Sequence, residues 1–156
     1  MKKQAFNPYL PSWEYIPDGE PYVFGDRVYV YGSHDYFNGY VFCMGDYVCW
    51  SAPVDDLGNW RYEGVIYPKT ADPLNPEGKM CLYAPDVTVG PDGRYYLYYV
   101  LDKVSVVSVA VCDTPAKTSM IAKDKKALFA INGSYSISGN PSTFTMVDKV
   151  VKVAST

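Results

Sequence analysis

The chain has 156 residues, of which 48% are apolar and 20% charged, so its length and composition allow an ordinary globular domain with its own core. Its 14 basic and 17 acidic residues give a net charge of -3, and no dense basic run is present, which argues against nucleic acid as a partner. No apolar stretch approaches the roughly 20 residues that a membrane-spanning helix needs, which argues against a membrane partner. The 16 Tyr, 12 Gly and 12 Pro predict an all-β chain, because aromatic residues favour strands and Gly and Pro favour turns.

Two local features bear on the compartment in which the protein works. Residues 1–8 carry positive charge but no apolar segment of the kind that a secretion signal needs, so we expect a cytoplasmic protein unless a leader has been removed. The spacing of the four cysteines matches neither a zinc site nor a redox pair. Cys49 and Cys112 lie in apolar, strand-like runs, and we predict that they are free, buried thiols.

Short strands and tight turns are predicted through most of the chain. In the first part, five short strands are predicted, at 22–24, 27–31, 40–43, 47–50 and 60–66. Gly25-Asp26 predicts a hairpin turn between the first two. Farther along, the runs 87–89 and 95–100 flank Asp92-Gly93, which has the order of residues that hairpin turns favour. The chain therefore contains two hairpins of similar design.

An internal repeat relates these two hairpins. Four residues of the first hairpin recur 67 positions later: Arg27, Tyr29, Tyr31 and Asp35 correspond to Arg94, Tyr96, Tyr98 and Asp102. A Pro-Asp pair opens each unit. Four antiparallel strands per unit are typical of a propeller blade, so we predict a partial β-propeller of about two four-stranded blades. Residues 1–116 would hold both, blade 1 at about 18–67 and blade 2 from about 82 to 116 onward. A chance likeness of two Tyr-rich hairpins is the alternative.

The remaining segments differ in character from the two units. Residues 68–79 contain three Pro and no periodicity, which predicts a loop. Residues 117–126 are rich in Lys and lack aromatic residues, which fits either a short exposed helix or a solvated loop. Strand-like runs then resume at 127–131, 134–137, 143–147 and 150–153. We therefore predict that 117–156 is a divergent, strand-rich tail that completes or extends the sheet.

Carboxylates are the candidate chemical groups. His34 is the single histidine and has no placed nucleophile or metal cluster around it, which favours a turn or rim role. Asp18 and Asp86 open the two repeat units, and equivalent positions of a propeller converge on one mouth of its channel. Paired carboxylates among aromatic residues suit the cleavage of glycosidic bonds. Alternatively, each Pro-Asp pair is a common turn sequence without a catalytic role.

The ordered motifs resemble glycoside hydrolase family 43. The resemblance is carried by residues 7–10, 16–24, 27–35, 82–87 and 93–99, and it runs from about residue 7 to 115. That family comprises five-bladed β-propeller enzymes, mostly β-xylosidases, α-L-arabinofuranosidases and arabinanases that act by inversion. The resemblance implies a glycosidase that acts on xylose- or arabinose-containing plant polysaccharides or oligosaccharides.

The resemblance also assigns roles to individual residues. Asp18 matches the general base, and Asp86 matches the acidic residue that tunes the pKa of the catalytic acid. The resemblance also implies that five residues line the mouth of the channel and bind substrate: Ser33, His34, Asp35, Phe37 and Trp50. For Trp50 a core position is the stronger alternative, because it lies in an apolar strand. The resemblance implies no required cofactor, and calcium, which the family binds at the channel axis, has no assignable ligand here.

One part of the family's machinery has no counterpart. The family's general acid is a Glu in a later blade, whereas residues 118–156 contain no Glu. None of the four glutamates of this chain matches that position; they are Glu14, Glu20, Glu63 and Glu77. Three alternatives follow: a glycosidase whose acid comes from another chain or an unrecognised residue, an inactive carbohydrate-binding module, and a truncated product that self-assembles. Uncovered blade faces and strand edges predict a homodimer or higher oligomer.

Overall fold

The computed structural model describes residues 7–104 and 106–116 in full, together with the backbone of 120–121, 136–137, 140–141, 143–147 and 150–154. The chain divides into two compact units, Met1–Ala122 and Lys123–Thr156. The domain division that the sequence predicts, with a boundary after residue 116, stays a prediction.

The first sheet has four antiparallel strands in chain order. They are β1 (Glu20–Phe24), β2 (Arg27–Tyr31), β3 (Tyr47–Pro53) and β4 (Arg61–Tyr67). Phe24 pairs with Arg27 across the first turn, where Gly25 adopts a φ of 64° that few other residues tolerate. The predicted hairpin at Gly25-Asp26 is therefore confirmed.

The predicted strand at 40–43 is wrong. These residues belong to a long connection between β2 and β3, in which Tyr40 is 90% exposed. The amide of Cys43 donates to Asp35 Oδ1 at 2.5 Å, and Cys43 has a φ of 60°, outside the range of a strand. The aromatic content of this segment resembles a strand, but a carboxylate takes the hydrogen bond that a neighbouring strand would otherwise accept.

The second sheet repeats the design of the first. It contains β5 (Leu82–Val89), β6 (Tyr95–Leu101), β7 (Val107–Cys112) and the short β8 (Met120–Ile121), antiparallel and in chain order. The turn between β5 and β6 is closed by a hydrogen bond from Gly90 N to Arg94 O at 2.8 Å, and Gly93 has a φ of 77°. Between the sheets the chain forms the predicted loop, with one short 3-10 turn at Lys69–Ala71.

The two sheets share one aromatic core. Phe24 meets Tyr95 edge to face, with ring centroids 5.0 Å apart, and Tyr31 donates from its hydroxyl to the carbonyl of Pro115 at 2.5 Å. The buried cluster takes residues from both sheets: Tyr29, Tyr31, Tyr47, Cys49, Ile66, Tyr67, Leu82, Val87, Leu97, Tyr99, Leu101 and Ala110. Much of the unusual Tyr content therefore lies between the two blades.

The repeat relates residues whose environments differ. Tyr29 and Tyr31 are buried between the blades, whereas their partners in the repeat, Tyr96 and Tyr98, are half-buried. In the second blade the intervening residues, such as Leu97, supply the buried face. Each propeller blade packs one face on the preceding blade and the opposite face on the following blade. Equivalent residues of two adjacent blades therefore face the interface between those blades in one blade and face away from it in the other.

The second unit is also built of strands. In it β9 (Ser136–Ile137) pairs with β10 (Asn140–Pro141), and β11 (Thr143–Val147) pairs with β12 (Val150–Ala154), both antiparallel. The predicted strands at 143–147 and 150–153 are confirmed, while the one at 127–131 lies outside the described residues. The all-β fold class, two four-stranded blades followed by a strand-rich segment, is confirmed.

The state of the cysteines and the lack of a predicted membrane-spanning segment can be compared with the structure. All four cysteines are buried thiols that form no disulfide within the described residues, as predicted for Cys49 and Cys112. Burial raises the pKa of the Cys49 thiol far above its usual range, which makes it inert as a nucleophile. Within the residues that the structure describes, no helix is long and apolar enough to cross a bilayer.

Candidate active site

Asp18 lies at the entrance to the first blade, just before β1. It is exposed and has a φ of 55°. The segment before it is held by a hydrogen bond from Asp35 N to Tyr15 O at 3.0 Å. Gly32 makes room for that segment, because a Cβ at Gly32 would lie 2.8 Å from the carbonyl oxygen of Pro17. Asp18 is thus a solvent-accessible carboxylate on a backbone that its neighbours fix.

Asp86 lies on β5, at the entrance to the second blade, and is half-buried. The hydroxyl of Tyr22, on the first blade, donates a short hydrogen bond to its Oδ1. Burial raises the pKa of Tyr22 well above its usual range, and the hydrogen bond and charge of Asp86 raise it further. Tyr22 is therefore a permanent donor that orients the carboxylate of Asp86. The sequence gives no indication of this contact, because the two residues are 64 positions apart.

Ser33 connects the two entrances. It has no exposed surface, and its Oγ accepts a hydrogen bond from the amide of Ala84, two residues before Asp86, at 3.0 Å. In this position Ser33 holds the second blade's entrance, and the substrate contact that the resemblance implies for it stays a prediction. The β5–β6 pairing shifts register between Tyr83 and Asp86, at the residue that Ser33 holds.

Cys43 lies beside Asp35, whose carboxylate accepts a hydrogen bond from its amide, and the strand-like pattern of 40–43 gives no sign of this contact. Burial raises the pKa of its thiol; a hydrogen bond with Ser33 opposes this, and the charges of Asp35 and Asp18 add to the rise. Asp35 and Ser33 are therefore both hydrogen-bonded to Cys43, which places two of the predicted site residues at one end of the first blade.

Backbone strain is concentrated at this end. Asp18, Cys43 and Ala84 have φ values of 55°, 60° and 45°, in the left-handed region that residues other than Gly rarely adopt. Each such residue costs on the order of 1–3 kcal/mol unless its surroundings fix it, and such residues cluster at functional sites. The geometry thus marks the same region as the Pro-Asp repeat does.

His34 is engaged on both ring nitrogens. Its Nε2 lies 2.9 Å from Glu14 Oε1, and its Nδ1 lies 3.1 Å from the carbonyl oxygen of Asp46. The side chain is 19% exposed and packs edge to face on Tyr36, with centroids 5.9 Å apart. His34 therefore holds the β2–β3 connection in place and leaves only part of its ring surface for a ligand.

Glu14 joins His34 to Trp50. Its side chain is 3% exposed, and Oε2 accepts a hydrogen bond from Trp50 Nε1 at 2.7 Å. Trp50 itself is 5% exposed, as the core alternative predicts. Its ring lines a cavity of about 290 Å³, whose other walls are Pro8, Tyr9, Leu10, Pro11, Leu57, Gly58 and Trp60. Sequence reasoning missed Glu14, because nothing in its neighbourhood identifies its partners.

Exposed aromatic side chains stack on Tyr15 and Tyr83, each three residues before one of the two carboxylates. Phe37 is 76% exposed and stacks on Tyr15, with centroids 6.3 Å apart at 28°. Phe42 stacks on Tyr83 at 5.3 Å, close to the strained Ala84. Flat apolar rings beside carboxylates are suited to the faces of sugar rings. Phe37 is thus available for the substrate contact predicted for it, which stays a prediction.

The described residues do not fit a metal centre. Within them, no group of three or more His, Cys, Asp or Glu side chains is arranged to hold an ion. His34, the single histidine, has both nitrogens directed at protein oxygens. No chemical step is therefore assigned to calcium here.

The chain matches known glycosidases over part of their length. It is 84% identical over 116 residues to a xylosidase/arabinosidase of Thermoclostridium stercorarium, a match covering 74% of this chain and 24% of that protein. It is 33% identical over 86 residues to a probable arabinan endo-1,5-alpha-L-arabinosidase C of Aspergillus flavus, covering 53% of this chain and 27% of that protein. The chain thus spans about a quarter of the length of these relatives. No family model matches it.

The fold also matches a solved family 43 enzyme. This is a β-xylosidase/α-arabinofuranosidase from a compost microbial metagenome, in complex with xylotriose and in a calcium-free form. The identity is 30% and the TM-score 0.56, over 86% of this chain and 40% of that chain. These matches identify the two described sheets as blades of a partial β-propeller. The resemblance to glycoside hydrolase family 43 is therefore confirmed, with this chain matching one part of such a protein.

Proposed function

We propose that this chain belongs to a glycosidase that hydrolyses xylose- or arabinose-containing polysaccharides or oligosaccharides with inversion. The observation that supports this most directly is the pair Asp18 and Asp86 at the entrances of adjacent blades, in a chain 84% identical to a xylosidase/arabinosidase over 116 residues. The exposed rings of Phe37 and Phe42 next to these entrances suit a sugar substrate.

In this proposal Asp18 is the general base. An exposed carboxylate can accept a proton from a water molecule, which then attacks the anomeric carbon on the face opposite the leaving group. Its left-handed backbone, and the bond from Asp35 N to Tyr15 O, fix the direction in which that carboxylate points. Asp35 thereby acts through the backbone of the segment that carries the base.

Asp86 has the role of a tuning residue. Its negative charge beside a catalytic acid would raise the pKa of that acid, as a proton donor near neutral pH requires. Tyr22 donates to Oδ1 of Asp86 and so orients this carboxylate. Inversion places the base and the acid roughly 6.5–9.5 Å apart, so the acid belongs on the far side of the sugar from Asp18.

The general acid is not identified in this chain. Glu14 is buried against His34 and Trp50, and Glu63 is held by Ser51 and Arg61 on the first sheet. Glu77 pairs with Lys79, and Glu20 is exposed at the start of β1. The sequence after Glu77 contains no further Glu. Because no acid is identified among these residues, a second candidate function is a module that binds carbohydrate or self-assembles without turnover.

Hydrolysis and binding assays separate the two candidates. We expect release of nitrophenol from aryl xyloside or arabinofuranoside, and loss of at least about 100-fold with Asp18→Ala, the contribution usual for a general base. Asp26→Ala is the matched control, because Asp26 lies in the turn at the other end of the blade. Binding of xylotriose without turnover in the wild type would support the module, and neither binding nor turnover would refute both sugar-directed functions.

We also propose a homodimer or higher oligomer. In the first sheet β4 is a terminal strand, and it carries the exposed Tyr62 and Val65. An apolar edge strand favours pairing with another chain. A monomeric mass by light scattering at micromolar concentration would contradict this proposal. The cytoplasmic location stays a prediction.

A further inference from the structure

Glu14 is a buried carboxylate that neither the repeat nor the resemblance assigns to a role. Its side chain is 3% exposed, although burying a charge is expensive unless donors compensate it. Here both oxygens are used: His34 Nε2 lies 2.9 Å from Oε1, and Trp50 Nε1 donates to Oε2 at 2.7 Å. The amide of Tyr15 adds a third contact, to Oε1, at 3.2 Å.

The partners of Glu14 belong to different parts of the first blade. Trp50 is in the middle of β3, and His34 lies in the connection after β2. Glu14 itself is four residues before Asp18. The carboxylate therefore joins the segment that carries the candidate base to two elements that are distant in sequence.

The same segment is fixed at a second point. Asp35, next to His34, donates its amide to the carbonyl of Tyr15, next to Glu14, at 3.0 Å. Gly45 allows His34 its position, because a Cβ there would lie 2.6 Å from His34 Nδ1. Two adjacent residues of one segment are thus bonded to two adjacent residues of the other. This doubled contact lies directly before the left-handed backbone of Asp18.

We propose that Glu14 is a positioning residue of the candidate site, whose buried carboxylate holds the Asp18 segment against His34 and Trp50. This inference rests on the proposed function, since it concerns how the candidate base is placed. Glu14 does not touch a substrate: it is buried, and its oxygens already accept from N–H groups of the protein. Under this proposal, the direction of the Asp18 carboxylate depends on Glu14, a residue that does not itself bind the sugar.

Glu14→Gln is the sharpest perturbation, because it keeps the size of the side chain. An amide has one oxygen, so its NH2 group must face one of two N–H donors, the indole of Trp50 or, on the side of His34, the backbone amide of Tyr15. Glu20→Gln is the matched control, since Glu20 is an exposed carboxylate two residues after Asp18. The readouts are amide hydrogen exchange and xylotriose binding by the intact chain, at a temperature where all variants are folded.

Hydrogen exchange tests the positioning itself. The amide of Asp35, bonded to Tyr15 O, should exchange about tenfold faster or more in Glu14→Gln, because its segment opens locally. The amide of Val54, bonded to Asp26 O at the other end of the blade, should exchange at the wild-type rate. A general loss of stability would accelerate both amides. Unchanged exchange at Asp35, or equal acceleration of both amides, would overturn the proposal.

Sugar binding connects the positioning to function. We expect Glu14→Gln to weaken xylotriose binding about tenfold, a loss of about 1.4 kcal/mol, with Glu20→Gln unchanged. Because only folded molecules are compared, a purely structural role would leave the affinity unaltered and would refute the inference. If the wild type does not bind xylotriose, the proposed function fails while faster exchange confined to Asp35 still supports the anchoring by Glu14.

Discussion

Tyr99→Phe tests the buried polar network that accompanies the aromatic core. The hydroxyl of Tyr99 donates to Asp72 Oδ2 at 2.5 Å and lies 2.6 Å from the hydroxyl of Tyr67. All three residues are 2% exposed. The substitution removes one hydroxyl and keeps the ring, so the packing of the core changes little and the polar consequence dominates.

The magnitude follows from what the lost hydroxyl leaves behind. Asp72 keeps one donor, the amide of Leu74, at 2.7 Å to Oδ1, but Oδ2 is left buried without its partner. A buried group left without its hydrogen bond costs about 1–3 kcal/mol, and more when it is charged. The hydroxyl of Tyr67 loses a neighbour as well. We therefore expect Tyr99→Phe to lower the free energy of unfolding by about 2–4 kcal/mol, a large share of the roughly 5–15 kcal/mol of an ordinary domain.

Urea unfolding followed by tryptophan fluorescence measures this loss. The unfolding midpoint should fall while the slope with urea concentration stays constant, since the surface exposed on unfolding is unchanged. Tyr96→Phe is the matched control on the same strand, because the hydroxyl of Tyr96 donates to the exposed Asp92 at 2.8 Å. The control should change stability by less than about 0.5 kcal/mol. Equal, small effects of both variants would refute the assignment of a stabilising role to the buried network.

Two further predictions concern the site's backbone and the tyrosine core. Gly32→Ala should lower the free energy of unfolding by roughly 1–3 kcal/mol, because the added Cβ would lie 2.8 Å from Pro17 O. Gly19→Ala is the control and should cost less stability, since its Cβ would lie 3.3 Å from Val30 Cγ1. Equal midpoints of urea unfolding for the two variants would contradict this. Stability should fall above pH 10, since burial and the charge of Asp72 raise the pKa of Tyr67 to about 12. Tyrosines of the unfolded chain ionise with a pKa near 10. Each buried tyrosine therefore lowers the free energy of unfolding by about 1.4 kcal/mol per pH unit as the pH rises from 10 toward its folded pKa. Identical urea midpoints at pH 8 and pH 11 would refute this.

Local patterns predicted the strands and turns whose stability is local. The turn at Gly25 and the strand pair β5–β6 depend on neighbouring residues and a left-handed Gly, so the sequence determines them nearly alone. The segment 40–43 has similar composition, but its conformation is decided by Asp35, which binds the amide of Cys43. A single tertiary hydrogen bond there outweighs a strand-like pattern.

The repeat predicts only the two carboxylates of the candidate site. Asp18 and Asp86 follow Pro in equivalent places, and self-similarity along the chain identifies both without knowledge of their contacts. Glu14 and Tyr22 have no repeated counterpart, and their partners lie 20 and 64 residues away. Residues that position others through the tertiary structure therefore escape a reading based on motifs.

The tyrosine hydroxyls explain why this core is rich in Tyr and not in Phe. From the first blade, Tyr22 donates to Asp86, Tyr47 donates to the carbonyl of Tyr83 at 2.9 Å, and Tyr67 meets Tyr99. Each ring buries apolar surface between the blades, and each hydroxyl finds a partner on the second blade. Apolar packing alone is non-directional and would tolerate sliding of one blade on the other. Because two of these hydrogen bonds end at or near Asp86, the bonded tyrosines fix the register of the blades at the candidate site. The placement of Asp86 against the first blade, which carries Asp18, therefore depends on directional tyrosine hydrogen bonds as well as on apolar packing.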